Sequence, residues 1–167
     1  EFDADAHHAL ARRAAAESVV LLKNEGALLP LQPGKTVAVI GDFAETPRYQ
    51  GAGSSAVNSI KVDSFLDCLQ ESGIQSVGFA TGFDRQGKPD ANLKAEAAAL
   101  AKKADIVLLC MGLDEIKESE GIDRADMKLA DNQLELLAAV AAVNPNVVVL
   151  LSAGASLETP WIKECKA

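Results

Sequence analysis

Aromatic side chains are scarce in this chain: one Trp, one Tyr and five Phe among 167 residues, 4% in all. A carbohydrate site built on stacked aromatics cannot be completed from so few. Cysteine is sparse too. Cys68, Cys110 and Cys165 form an odd, widely spaced set, which is neither a disulfide framework nor a zinc-ligand spacing. Reduced thiols suit a cytoplasmic protein. No apolar run approaches the roughly 20 residues needed to span a membrane. Positive charge is in deficit: 16 Lys+Arg against 24 Asp+Glu leave a formal net charge of -8. A surface of that sign repels phosphate and disfavours nucleic acid, and its simplest use is solubility. An initiator Met is missing, and the acidic start Glu1-Phe2-Asp3-Ala4-Asp5 is not a signal peptide. The chain is therefore expected to be a piece of something longer.

Phosphate-binding motifs are missing as well. The strand-like run ending at Gly41 has one glycine where G-x-G-x-x-G needs three, because Phe43 and Thr46 stand at the other two positions. There is no G-x-x-x-x-G-K-[ST] and no G-x-S-x-G nucleophile elbow. A phosphoacceptor domain could find strand-end carboxylates in Asp42 and Asp114. It would also want a lysine after a late strand, where Ser152-Ala153-Gly154 stands. His7 and His8 are adjacent and point about 100° apart on a helix, so they cannot share a metal. No metal or cofactor is expected.

What the chain does contain is a folded domain's share of apolar residues, 49%. Residues 6–23 read as a helix with Leu10, Ala14, Val19 and Leu22 on one face. Thr36–Ile40, Gln75–Ala80, Asp105–Met111 and Val147–Leu151 are short, unbroken apolar runs, the pattern of strands buried on both faces. Cys110 within the third run reads as a small buried hydrophobe. Helical segments separate the runs at 62–72, 92–103 and 132–143, and Trp161 reads as a packing residue. Alternation of this kind predicts an α/β fold: a three-layer α/β/α sandwich with a mostly parallel sheet and right-handed crossovers. Ligands in such folds bind beyond the carboxyl ends of the strands. Both long loops, 43–60 and 112–128, leave from those ends and should share one rim.

Each loop has a distinct chemistry. Tyr49-Gln50-Gly51-Ala52-Gly53-Ser54-Ser55 is short in side chains, rich in donors, and open to close approach by a ligand. The other loop sets Glu115, Glu118 and Glu120 within six residues, then Asp123 and Arg124. Clustered like charges raise the pKa of one member, which is how a carboxylic acid stays protonated near neutral pH. A solvated acidic loop and a flexible Gly/Ser loop are the plainer readings of the same residues.

Four stretches, in this order, resemble the second, α/β-sandwich domain of glycoside hydrolase family 3, the β-glucosidases and their kin. Arg13-Ala14-Ala15-Ala16-Glu17-Ser18-Val19-Val20-Leu21-Leu22-Lys23-Asn24 with Leu28-Leu29-Pro30-Leu31 looks like the family's linker helix and turn. Val37 to Gly41 with Gly51 to Ser55 looks like its first strand and sugar-facing loop. Glu118-Ser119-Glu120-Gly121-Ile122-Asp123-Arg124 looks like its acid/base loop. Val148 to Gly154 with Pro160-Trp161 looks like its later strand and turn.

The resemblance implies a domain division of 1–30, linker helix and turn, and 31–167, a sandwich truncated at its C-terminal end. It implies a retaining mechanism, with an aspartate nucleophile on a preceding barrel that this chain lacks. The acid/base falls on Glu120 by the match, with Glu118 the alternative. Asp123 and Arg124 would support the loop, and Gly51, Gly53, Ser54 and Ser55 would line the sugar site. The implied partners are a β-linked glucoside or oligosaccharide and the N-terminal barrel of the same parent chain. Asn58-Ser59 stands where the family often has proline. Alone, the chain is expected to be inactive and prone to self-association through Phe43, Ile116 and Ile122 on the rim. A stand-alone α/β ligand-binding or regulatory module is the competing reading.

Overall fold

The computed structural model describes residues 2–167; Glu1, first of the acidic N-terminal residues, lies outside them. The strands are β1 (Thr36–Ile40), β2 (Gln75–Ala80), β3 (Ile106–Gly112) and β4 (Val147–Ser152). They form one sheet in the order β2-β1-β3-β4, every pair parallel. The helices are α1 (Ala4–Glu17), α2 (Phe65–Glu71), α3 (Ala91–Ala101) and α4 (Asp131–Ala141). The connection from β1 to β2 runs one way across the sheet, and those to β3 and β4 run the other. Right-handed crossovers therefore put α2 on one face and α3 with α4 on the opposite face. α3 and α4 pack together, joined at their surface by Lys94 and Glu135 at 2.7 Å.

Unbroken apolar runs become the central strands for a simple reason. A strand covered by helices on both faces has no polar face to spare, and every residue of β3 is buried. Val37 to Ile40, Leu109, Met111, Leu136 and Leu137 form the middle of the core. Burial pushes the Cys110 thiol up to about 12, so it packs as a hydrophobe. Trp161 lies in the core margin, as its sequence context suggests.

Short polar signals set the helix starts. Asp3, Ser64 and Asp90 accept hydrogen bonds from backbone N–H groups in the first turns of α1, α2 and α3. From the first turn of α4, the buried Gln133 amide closes off the end of β3 by bonding both the N–H and the C=O of Gly112, at 3.0 and 2.9 Å. Gly112 has no room for a side chain, since an added Cβ would strike the Ser152 carbonyl of the neighbouring strand. Gly112→Ala is expected to cost about 3 kcal/mol, the upper range for overpacking, because the obstacle is backbone. Denaturant titration checks this, and an unchanged midpoint would contradict it.

The first helix differs from the sequence expectation of 6–23. α1 stops at Glu17, where the Ser18 hydroxyl bonds back to the Ala14 carbonyl at 2.7 Å. Residues 19–22 lie in neither helix nor strand, and Val19, Val20, Leu21 and Leu22 are all exposed. Tertiary contacts override the helical pattern here. Lys23 Nζ donates to the carbonyls of Ile162 and Cys165, and Glu25 N–H to that of Lys166. α1 itself buries nothing. It is held by polar contacts of Asp5, His8 and Arg12 with Lys61 and Asp63. The last residues run alongside β4, with Lys166 N–H on Val147 and Val149 N–H on Ala167. No helix among the described residues is long and apolar enough to cross a membrane.

Candidate active-site rim

β1 and β3 are neighbours whose outgoing connections diverge, so a crevice opens beyond their carboxyl ends. The glycine-serine loop leaves β1 there and the acidic loop leaves β3. Two arginines organise the rim. Arg85, from the loop after β2, forks onto Glu115 at 2.6 and 3.2 Å, pairs with Asp42, and donates to the Thr46 carbonyl at 2.9 Å. Its guanidinium lies 4.4 Å from the centroid of the Phe43 ring, which in turn packs against Phe83. Phe43 is therefore buried, a correction to its expected exposure on the rim; Ile116 and Ile122 are exposed as expected. Burial alone would raise the Glu115 pKa, but hydrogen bonds from Arg85 hold it below the usual value.

Arg48 comes from the β1 loop itself. It donates to the Leu113 carbonyl at 3.0 Å and pairs with Glu118, which also accepts the Gly154 N–H at 3.0 Å. Asp114 is buried and accepts the N–H groups of Ile116 and Lys117, which turns the chain sharply after β3. The carboxylates expected to crowd one another are thus parted: Glu115 to Arg85, Glu118 to Arg48.

Of the three clustered glutamates, Glu120 is the one with no arginine pair among the described residues. It is exposed, and it accepts from the Ser54 hydroxyl and, at 3.3 Å, the Ser54 N–H. Gly53 makes the approach possible: its φ is +87°, and a Cβ there would sit 3.3 Å from Glu120 Oε2. Gln50 closes the loop from within by bonding both Val57 N–H and C=O. Gly51 lies beside Ser55, whose hydroxyl would be 3.2 Å from a Cβ added at Gly51. Arg124 donates to the Ser156 carbonyl at 3.1 Å, while Asp123 is exposed with no hydrogen bond or ion pair among the described residues. The structure therefore brings Glu120, Gly53 and Ser54 together, and it places Arg124 and Asp123 further along the loop. A hollow of about 730 Å³ lies along the same loop, walled by Arg48, Glu118, Arg124, Met127 and Ser156; Glu120 and Ser54 are not among its walls.

The electrostatics run opposite to the expected raised carboxyl. The Ser54 hydroxyl, then its N–H, stabilise the Glu120 carboxylate and hold its pKa below the usual range. A depressed carboxyl adds stability above its unfolded pKa and loses it as pH falls through the folded one. Ser54→Ala is expected to move the Glu120 pKa back up toward the ordinary carboxylate value. A carbon-detected NMR titration reads this directly, and no upward movement would contradict the pairing.

These loops sit on a sheet whose sequence matches the Glycosyl hydrolase family 3 C-terminal domain over residues 19–167. The chain belongs to this family. An exo-alpha-(1->6)-L-arabinopyranosidase from Bifidobacterium breve is 48% identical over 99% of the chain, and thermostable beta-glucosidase B from Acetivibrio thermocellus 42% over all of it. The crystal structure of a family 3 beta-glucosidase from Bifidobacterium adolescentis superposes with a TM-score of 0.93, at 48% identity over 99% of the chain. The chain spans 22–24% of the length of these proteins.

Within this family 3 domain, sequence reasoning missed Arg48 and Arg85. Each is a basic residue in a strand-end loop, and each faces a loop carrying three closely spaced glutamates. That charge complementarity was the available signal.

Proposed function

We propose that this chain is the second domain of a retaining β-glucosidase-like hydrolase, with Glu120 as its acid/base. One observation carries the reading: Glu120, 66 residues from Ser54 in sequence, meets the glycine-serine loop at the sheet's switch point with its carboxyl exposed. An exposed carboxyl beside a loop of small, donor-rich residues is what a sugar entering from outside the domain would encounter.

Glu120 protonates the glycosidic oxygen as the leaving group departs and a barrel-borne aspartate attacks the anomeric carbon. It then takes a proton from the water that breaks the covalent glycosyl-enzyme. To start as an acid, Glu120 needs a higher pKa than Ser54 alone gives it. Burial beneath the partner barrel supplies that shift, because desolvation disfavours the charged form. Gly51, Gly53, Ser54 and Ser55 line the sugar's approach, and Arg124 braces the far end of the loop.

The sugar is a β-linked glucoside or oligosaccharide unit. Proton NMR of the complete enzyme acting on an aryl β-glucoside tests the reading. The β-anomer should be the first product. The α-anomer appearing first would contradict a retaining mechanism.

A further inference from the structure

We infer that Arg48 is a positioning residue for Glu120, acting through Glu118. The inference rests on the acid/base reading of Glu120 above. The Arg48 and Glu118 side chains are only 9% and 8% exposed. Arg48 leaves the β1 loop, holds the Leu113 carbonyl just past β3, and grips Glu118; Glu118 in turn holds Gly154 N–H after β4. One ion pair thus stitches together three loops on the catalytic rim. Glu118 stands two residues before Glu120, so the pair fixes the backbone from which Glu120 projects.

The pair is poorly built for stability. Arg48 Nε and Glu118 Oε1 are buried without a hydrogen-bond partner among the described residues. Such half-satisfied buried charges contribute little stability and often cost some. Their placement suits geometry instead. Ser54 cannot do the job alone, since it and Glu120 are both exposed and Ser54 holds only the carboxyl tip. An acid/base moved by about 1 Å can lose roughly 10²-fold in rate.

The test uses the full-length enzyme with Arg48→Ala and Arg48→Lys, measured on a methyl glucoside and a dinitrophenyl glucoside. Arg48 makes both contacts through one nitrogen, Nη1, and lysine keeps the charge on a side chain one bond too short to place its amine there. The expected result is a loss of about 10²-fold in kcat/KM on the methyl glucoside for Arg48→Ala. On the dinitrophenyl glucoside, which needs no proton to leave, kcat/KM should stay within about threefold of wild type. Arg48→Lys should fall between the two, and it keeps the test usable if Arg48→Ala fails to fold. Equal losses on both substrates, or no loss on either, would overturn the positioning role. Glu120→Ala runs alongside. If it shows leaving-group selectivity and the Arg48 variants do not, only the positioning inference falls. If it shows none, the acid/base reading falls and takes the inference with it.

Discussion

Glu120→Ala in the complete enzyme is expected to slow the hydrolysis of alkyl and sugar glucosides by about 10²–10⁴-fold, the usual contribution of a general acid–base group. Such leaving groups depart as strongly basic oxygens and need a proton, which the proposed acid/base would supply. A nitrophenolate departs without one, so the first chemical step should survive. The second step still needs a base to activate water, and the covalent glycosyl-enzyme should accumulate as a burst of nitrophenolate followed by slow turnover. Glu118→Ala should behave differently. Glu118 is tied to Arg48 and Gly154, so removing it strands a buried guanidinium. That costs about 3–5 kcal/mol of stability by the usual scale for a broken buried pair. Stopped-flow release of nitrophenolate distinguishes the two variants, and a burst confined to Glu118→Ala would reverse the assignment.

The isolated chain is expected to show no turnover of an aryl β-glucoside above background. A retaining mechanism needs two carboxyl groups about 5–5.5 Å apart, one of them free to attack. The carboxylates flanking Glu120 in its loop do not meet this need. Glu115 is bonded twice by Arg85, and Glu118 by Arg48 and Gly154, which leaves neither as a ready nucleophile. Asp123 is exposed, with no hydrogen bond or ion pair among the described residues to aim or activate it. The Glu120 carboxyl is also held low by Ser54, the wrong direction for an acid at neutral pH. Turnover by the pure chain that disappears in its Glu120→Ala variant would show that the nucleophile lies within these residues.

The parallel sheet was readable because its central strands, β1 and β3, are apolar runs buried along their length, the pattern of a sheet covered on both faces. The shared rim followed from the alternation of strands and helices, and it is on that rim that Glu120 meets Ser54. The end of α1 was not readable, because Lys23 and Glu25 are pulled away by carbonyls of residues 162–166, more than 130 positions along the chain. Phe43 was misplaced for a similar reason. Its apolar ring in a rim loop looked exposed, but Arg85 and Phe83 cover it from another loop. The split of the glutamates between Arg85 and Arg48 also depends on contacts across loops. Local charge density suggested a raised carboxyl, and the tertiary pairing reversed the sign at Glu120.

Azide rescue of Glu120→Ala tests the central claim most directly. Azide needs no base, and it fits the space left by the missing carboxyl. In the complete enzyme acting on a dinitrophenyl glucoside, added azide should restore turnover, with β-glucosyl azide as the product seen by NMR. The retained configuration follows from a second displacement on the covalent intermediate. No acceleration and no azide product, or the same rescue at Glu118→Ala but not at Glu120→Ala, would contradict Glu120 as the acid/base.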